Sequence, residues 1–296
     1  MEIAATTPLS AALLEPELQE IHIRPRRGWI GVNWHELVRY RELLSYLVWR
    51  DVKVKYKQAM LGVAWGVILP LMSLAIYGGV AMAAKFGDHL AGNPKPPILL
   101  WMFAGLVPWM FLQRAINDGG MSLVSNQALM TKIYLPRLYI PLSALGNALV
   151  DMVINVFLLF GLGLYYFVSV GWTPSWQIVF CLPMMLLLAV AAMGLSFSLS
   201  AATILYRDLR FLIPFLTQFG MWLSAVITPL AMFPPKVQFW VALNPLTGII
   251  SGFRSAILGE PWQFLHLGSS IVLCSALLVF GIFYFKRVER LFADIA

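Results

Sequence analysis

The sequence predicts an all-α integral membrane protein of six transmembrane helices, and three observations carry that prediction. Of 296 residues, 60% are hydrophobic and only 12% are charged, with a mean hydropathy of +0.77, outside the range of water-soluble domains. The apolar residues fall in runs of about twenty, the length that crosses a bilayer at about 1.5 Å per residue. The charges flank these runs with a strong bias of sign. The net charge of +7 is therefore a topology signal, not the footprint of a nucleic-acid-binding protein.

Residues 1–32 are expected to be a polar, flexible, cytoplasmic tail. It contains Glu2, Glu15, Glu17 and Glu20 and has no apolar core, so it does not read as a cleavable signal peptide. From 33 to 57 the pattern is helical, with Asn33 as N-cap and Glu36 completing a capping box. Trp34, Leu37, Leu44, Leu47 and Val48 fall near one face, while Arg39, Arg50, Lys53 and Lys57 lie mainly elsewhere. Such a helix, placed before a span, suits the headgroup layer; the simpler alternative is a solvated helix.

A transmembrane domain over 58–296 follows, with spans near 61–84, 98–117, 139–169, 177–203, 211–231 and 264–285. The third is long enough to tilt. Residues 85–97 end in Asn93-Pro94-Lys95-Pro96-Pro97, an extended connector, and 118–138 make a polar, partly helical link. After the fifth span comes Phe233-Pro234-Pro235-Lys236. The apolar region beyond it is broken by Asn244-Pro245, Gly248, Gly252 and Gly259. It is too interrupted to span, so 232–260 reads as a re-entrant helical hairpin, whose irregular backbone needs protein or water around it. Cys181 and Cys274 both lie inside spans and suggest small apolar packing residues, with no disulfide and no metal site. No internal repeat points to an inverted-topology carrier.

Counting lysines and arginines sets the orientation. Of 21, one side receives 17 and the other only Lys85, Lys95, Lys236 and Arg254. That bias puts both termini in the cytoplasm and the hairpin outside.

Three stretches resemble one known family. Tyr56-Lys57-Gln58-Ala59-Met60-Leu61-Gly62-Val63-Ala64-Trp65 is similar to the start of the first span in ABC-2 type polysaccharide export permeases. Arg207-Asp208-Leu209-Arg210 before an aromatic-rich helix, and Leu243-Asn244-Pro245-Leu246 followed by Gly252-Phe253-Arg254, resemble later segments in the same order. The resemblance runs from about residue 35 to the C-terminus. It implies a homodimer in the bacterial cytoplasmic (inner) membrane, carrying two copies of a cytoplasmic ABC ATPase subunit. It further implies export of a lipid-linked polysaccharide such as an O-antigen, with teichoic acid, capsular polysaccharide or drug export as alternatives within the architecture. The link at 118–138 would supply the helix that docks on the ATPase, with Asn126, Gln127, Lys132 and Arg137 as contacts and Arg207 and Arg210 beside them. The chain itself has no G-x-x-x-x-G-K-[ST], and none of its lysines precedes Ser or Thr. ATP and Mg would thus be bound by the partner subunit, and this chain is expected to hold no cofactor and to catalyse no reaction.

A glycan path needs faces that attract sugar C–H groups without fixed hydrogen bonds. Phe211, Phe215, Phe219 and Trp222, spaced four, four and three, share one face of the fifth span. Trp65 and Tyr77 in the first span lie twelve apart, roughly on one face. Relatives line their channel with these two helices, so these six residues are the expected channel wall; packing or lipid contact is the plainer alternative. Trp101, Trp109, Trp172, Trp176, Trp240 and Trp262 sit nearer span ends and suggest an interfacial belt. Arg50, Lys53, Lys55 and Lys57 could gather the diphosphate of the lipid carrier or anionic lipid, and Arg254 could meet a phosphate at the outer mouth or cap local carbonyls. Asp151 lies within the third span, where a carboxylate either moves protons or fixes packing by pairing with Arg114 or Arg137; pairing is favoured. Two other classes remain: a membrane-embedded transferase using Asp88, His89, Glu260 and His266, and a proton-coupled carrier centred on Asp151.

Overall fold

A computed structural model describes residues 34–57, 64–90, 96–132 and 135–289, and every regular element among them is helical. In order these are α1 (Trp34–Arg39), α2 (Arg41–Lys57), α3 (Ala64–Ala83), α4 (Ile98–Ser125), α5 (Gln127–Lys132), α6 (Tyr139–Val170), α7 (Cys181–Leu205), α8 (Leu209–Leu223), α9 (Pro235–Leu243), α10 (Pro245–Leu258) and α11 (Phe264–Glu289). Five helices, α3, α4, α6, the run Trp176–Leu205 and α11, are long and apolar enough to cross a membrane. The bent pair α9–α10 makes a sixth candidate, its two arms turned by 91°. The described residues lie within one compact unit, 32–296.

α4 is the centre. Its first half is apolar on all sides, and every residue from Leu100 to Trp109 is buried, as expected of a helix surrounded by others. α3, α6, α7, α8 and α10 all pack against it. Small residues and hydroxyls bring the neighbours close, since apolar burial alone gives little drive between helices in lipid. The Ser196 hydroxyl of α7 donates to the Ala115 carbonyl at 2.9 Å, and Thr203 donates to the Gly120 carbonyl at 2.7 Å. Gly194 and Gly281 let α7 and α11 meet backbone to backbone; a Cβ on Gly194 would stand 2.6 Å from the Leu277 carbonyl.

The burial of α4 removes two tryptophans from the expected belt. Trp101 and Trp109 are each 3% exposed, whereas Trp176 and Trp240 are largely exposed. Position near a span end implies an interfacial ring only where the helix meets lipid, and α4 does not.

The fifth predicted span, 211–231, is shorter than its apolar run. α8 stops at Leu223 after 15 residues, roughly 22 Å of helix against the roughly 30 Å of a bilayer core. The chain unwinds at Ala225, which adopts a left-handed φ of 51°. Ser224 to Ile227 then continue as buried, non-helical backbone. Hydropathy could not show this, because the residues are apolar whichever way their backbone turns. Residues 33–57 become two helices joined at Tyr40, with Leu47 of α2 buried and Val48 set against Gly146 of α6. Asn33 lies outside the described residues, as does the side chain of Glu36. The first part of the predicted link is a continuation of α4 as far as Ser125.

Candidate functional site: a polar cleft and an aromatic face beside the central helix

At the end of the bundle where α2 lies across α6, ionisable side chains converge on Asp151. Lys55 donates to both carboxylate oxygens at 2.5 Å, and the Tyr56 hydroxyl donates at 2.7 Å. The Arg114 Nε is 3.9 Å from Asp151 and 2.6 Å from Asp118. Burial, and the hydrogen bond to Asp151, push the Tyr56 phenol up, so it remains a neutral donor. Asp151 is thus paired, but chiefly with Lys55; Arg137 instead donates to the Glu289 carbonyl at 2.6 Å. α2 folds back onto α6 and delivers a nearer cation.

Alongside this cluster lies a cleft of about 310 Å³ between α3, α4 and α6. Trp65, Gln113, Arg114, Asn117, Asp151 and Asn155 are among its walls. A second hollow of about 280 Å³ continues past Asp118 and Asn126. Sequence reasoning missed Gln113, Asn117 and Asp118. The signal was present, since Gln113-Arg114 and Asn117-Asp118 are two polar pairs four residues apart. Gln113 and Asn117 fall at the end of the predicted span 98–117 and Asp118 opens the predicted link 118–138, so the sequence does not show them as one site.

α8 packs on α4 through Ile213, Thr217 and Met221, spaced four and four. Thr217 donates to the Asn117 Oδ1 at 3.4 Å, and Trp109 lies under Gly220. The opposite face carries Phe211, Phe215, Phe219 and Trp222, which are 83%, 56%, 56% and 49% exposed. The Phe215 and Phe219 rings lie 4.7 Å apart. Trp65 is exposed and lines the cleft, but Tyr77 packs against the core around α4. Twelve residues at about 100° each leave an offset of about 120°, enough to separate the two rings.

Arg254 of α10 is 4% exposed and turned inward. Its guanidinium donates to the Ala225 carbonyl at 2.9 Å, the Val226 carbonyl at 2.5 Å and the Trp101 carbonyl at 3.3 Å. It also lies over the Trp101 ring at 3.5 Å. The space it occupies exists because residue 105 is glycine: a Cβ there would be 2.8 Å from the Arg254 Cζ. Of the two roles open to Arg254, this geometry is that of the carbonyl cap. The unwound stretch after α8 needs donors, and Arg254 supplies them. Above it lies a hollow of about 110 Å³ bordered by His89, Glu260 and Gln263. Burial pushes the Glu260 carboxyl up, while Arg254 opposes the shift. Asp88 is exposed outside this hollow, and His266 pairs with Gln263 at 2.6 Å.

The remaining candidates separate by exposure. Lys53 and Lys57 are exposed, whereas Arg50 pairs with Asp51 at 2.6 Å and donates to the Asn126 Oδ1 at 3.2 Å. A residue expected at the headgroups therefore touches one expected at the ATPase. Gln127 and Lys132 are exposed on α5, Arg207 is exposed in the turn before α8, and Arg210 is half-buried.

The described residues thus form a bundle of candidate spanning helices with a bent pair and a paired polar cleft. The sequence profile of the ABC-2 type transporter family matches residues 42–258, most of the chain, and the protein belongs to that family. It is accordingly a transport subunit that lacks an ATPase domain. It is similar to the O-antigen export system permease protein RfbA of Myxococcus xanthus, 25% identical over 253 residues, covering 83% of this chain and 94% of the relative. It also resembles the permease of the same name from Klebsiella pneumoniae, 25% identical over 260 residues, covering 86% and 95%.

Proposed function

We propose that this chain is the channel-forming permease of an exporter for a lipid-linked polysaccharide of the O-antigen kind. Two copies pair in the bacterial cytoplasmic membrane with both termini in the cytoplasm, and two copies of a separate ABC ATPase drive them. The observation that carries the reading is the face of α8. Four aromatic rings in register stand exposed on a helix whose other side is fixed to α4. A second copy facing this one would turn the two stripes into walls on which sugar C–H faces slide. The names of the similar permeases support the glycan class. The exposed α5 and the Arg207 turn supply surfaces for the ATPase.

Phe215→Ala and Trp222→Ala are each expected to slow export several-fold, with ring contacts worth about 1 kcal/mol lost per site. Assembly and ATPase activity should persist. Export at the wild-type rate from both variants, measured with purified complex in proteoliposomes, would show that the stripe only packs.

A further inference from the structure

We infer that the cleft between α3, α4 and α6 is a seat for one neutral sugar ring and not for the diphosphate of the lipid carrier. The inference rests on the export reading and assigns a substrate contact outside the aromatic stripe. At about 310 Å³ the cleft has the size of a small-ligand site.

Its charges are already matched. Lys55 is held by Asp151 at 2.5 Å and Arg114 by Asp118 at 2.6 Å, so the two cations facing the cleft are balanced by two carboxylates. A diphosphate entering here would meet Asp151 as well as the cations.

The polar wall asks for a ligand that donates. Asn155 is 4% exposed, and its Oδ1 meets no donor among the described residues. A buried acceptor without a donor costs about 1–3 kcal/mol unless something fills the place. A diphosphate accepts hydrogen bonds and cannot satisfy it. A hydroxyl donates to Asn155 while accepting from Gln113 or Arg114, which line the same cleft. The third wall is Trp65, 43% exposed, offering the negative face of a ring to the polarised C–H edges of a sugar. Mixed donors and acceptors beside an exposed indole suit a polyhydroxyl ring. Asn117, another wall of this cleft, touches Thr217 on the face of α8 that packs on α4, so the seat lies across that helix from the aromatic stripe.

The test uses the permease–ATPase complex in nanodiscs and saturation-transfer NMR with the methyl glycosides of glucose, galactose, mannose, rhamnose and N-acetylglucosamine. We expect at least one glycoside to give a signal that pyrophosphate does not reduce. Asn155→Leu and Trp65→Ala should each weaken it about fivefold, roughly 1 kcal/mol for one lost contact, while Asn155→Asp, which keeps an acceptor, should retain it. No glycoside signal, displacement by pyrophosphate, or an undiminished signal in both weakened variants would overturn the seat. Export of extracted lipid-linked glycan is measured on the same preparations. Wild-type complex that exports but binds no glycoside overturns the seat alone. Complex that hydrolyses ATP and moves no glycan overturns the export reading and the seat with it.

Discussion

Arg254→Met is expected to leave little protein monodisperse in detergent, the largest effect of any single substitution we foresee. The side chain is buried and donates to the carbonyls of Ala225, Val226 and Trp101. Two of these belong to buried backbone that has left the helix and so has no helical donor to replace the lost one. Each abandoned carbonyl costs about 1–3 kcal/mol, so the loss is about 3 kcal/mol or more, a large part of a typical domain's stability. Ala225 adds to it, because its left-handed φ of 51° is held by the Arg254 contact. Arg254→Lys keeps a charge but not the planar fork, and we expect only part of the yield to return. Gly105→Ala should fail in the same way, since its Cβ claims the space of the guanidinium. Size-exclusion profiles and thermal midpoints decide the matter. An Arg254→Met protein as stable as wild type would mean that the unwound segment finds its donors elsewhere.

Asp151→Ala is the second large effect, and here we expect loss of export more than loss of fold. The carboxylate joins α6 to α2 through Lys55 and Tyr56 and stands within reach of Arg114 on α4. Its removal strands Lys55 and releases α2, the helix that lies across this end of the bundle. The side chains of the pair are 31% and 21% exposed, so a double-mutant cycle should give a coupling of only about 1–2 kcal/mol, below that of a fully buried pair. Export should fall about tenfold or more, if about 1.4 kcal/mol of coupling passes into the transport step. Lys55→Met combined with Asp151→Leu should recover stability, since an apolar pair can replace a buried ionic one. Tyr56→Phe should show a weaker version of the same defect. A proton-coupled carrier behaves differently: Asp151→Asn would remove the pH dependence of its transport. We expect the pH profile of export to keep its shape in that variant.

The class of fold was legible in the sequence because hydropathy is a long-range average and survives local error. Helices such as α6 and α11 keep a high mean hydropathy over a membrane's length despite an occasional polar residue, and a bilayer suits such a pattern. The broken hairpin was legible for a different reason. Asn244-Pro245 removes an N–H and caps a new helix, and the Asn244 Oδ1 does accept from the Leu246 N–H at 3.0 Å. The end of α8 was legible only in part. Pro229, four residues after Ala225, has no N–H for the Ala225 carbonyl and hints at a break, but the donor that stabilises the unwinding is Arg254, 29 residues away from Ala225. The partner of Asp151 was hidden likewise, since its link to Lys55 spans 96 residues. Lys55 had been read with its neighbours as part of a basic cluster. The cleft was half legible. Its indole, its carboxylate and its arginine were all singled out, but for separate purposes, and only packing brings them to one place.

The pairing of two chains across the aromatic face of α8 is tested most directly by cross-linking. With Cys181 and Cys274 replaced by alanine, Phe219→Cys in native membranes is treated with a water-soluble bifunctional maleimide. Val272→Cys, on the exposed side of α11, serves as the comparison. We expect position 219 to give a two-chain product whose formation blocks export, and position 272 to give none. Cross-linking at 272 with none at 219, and quenching of a probe at 219 by labelled lipid tails, would place α8 against the bilayer and contradict the shared path.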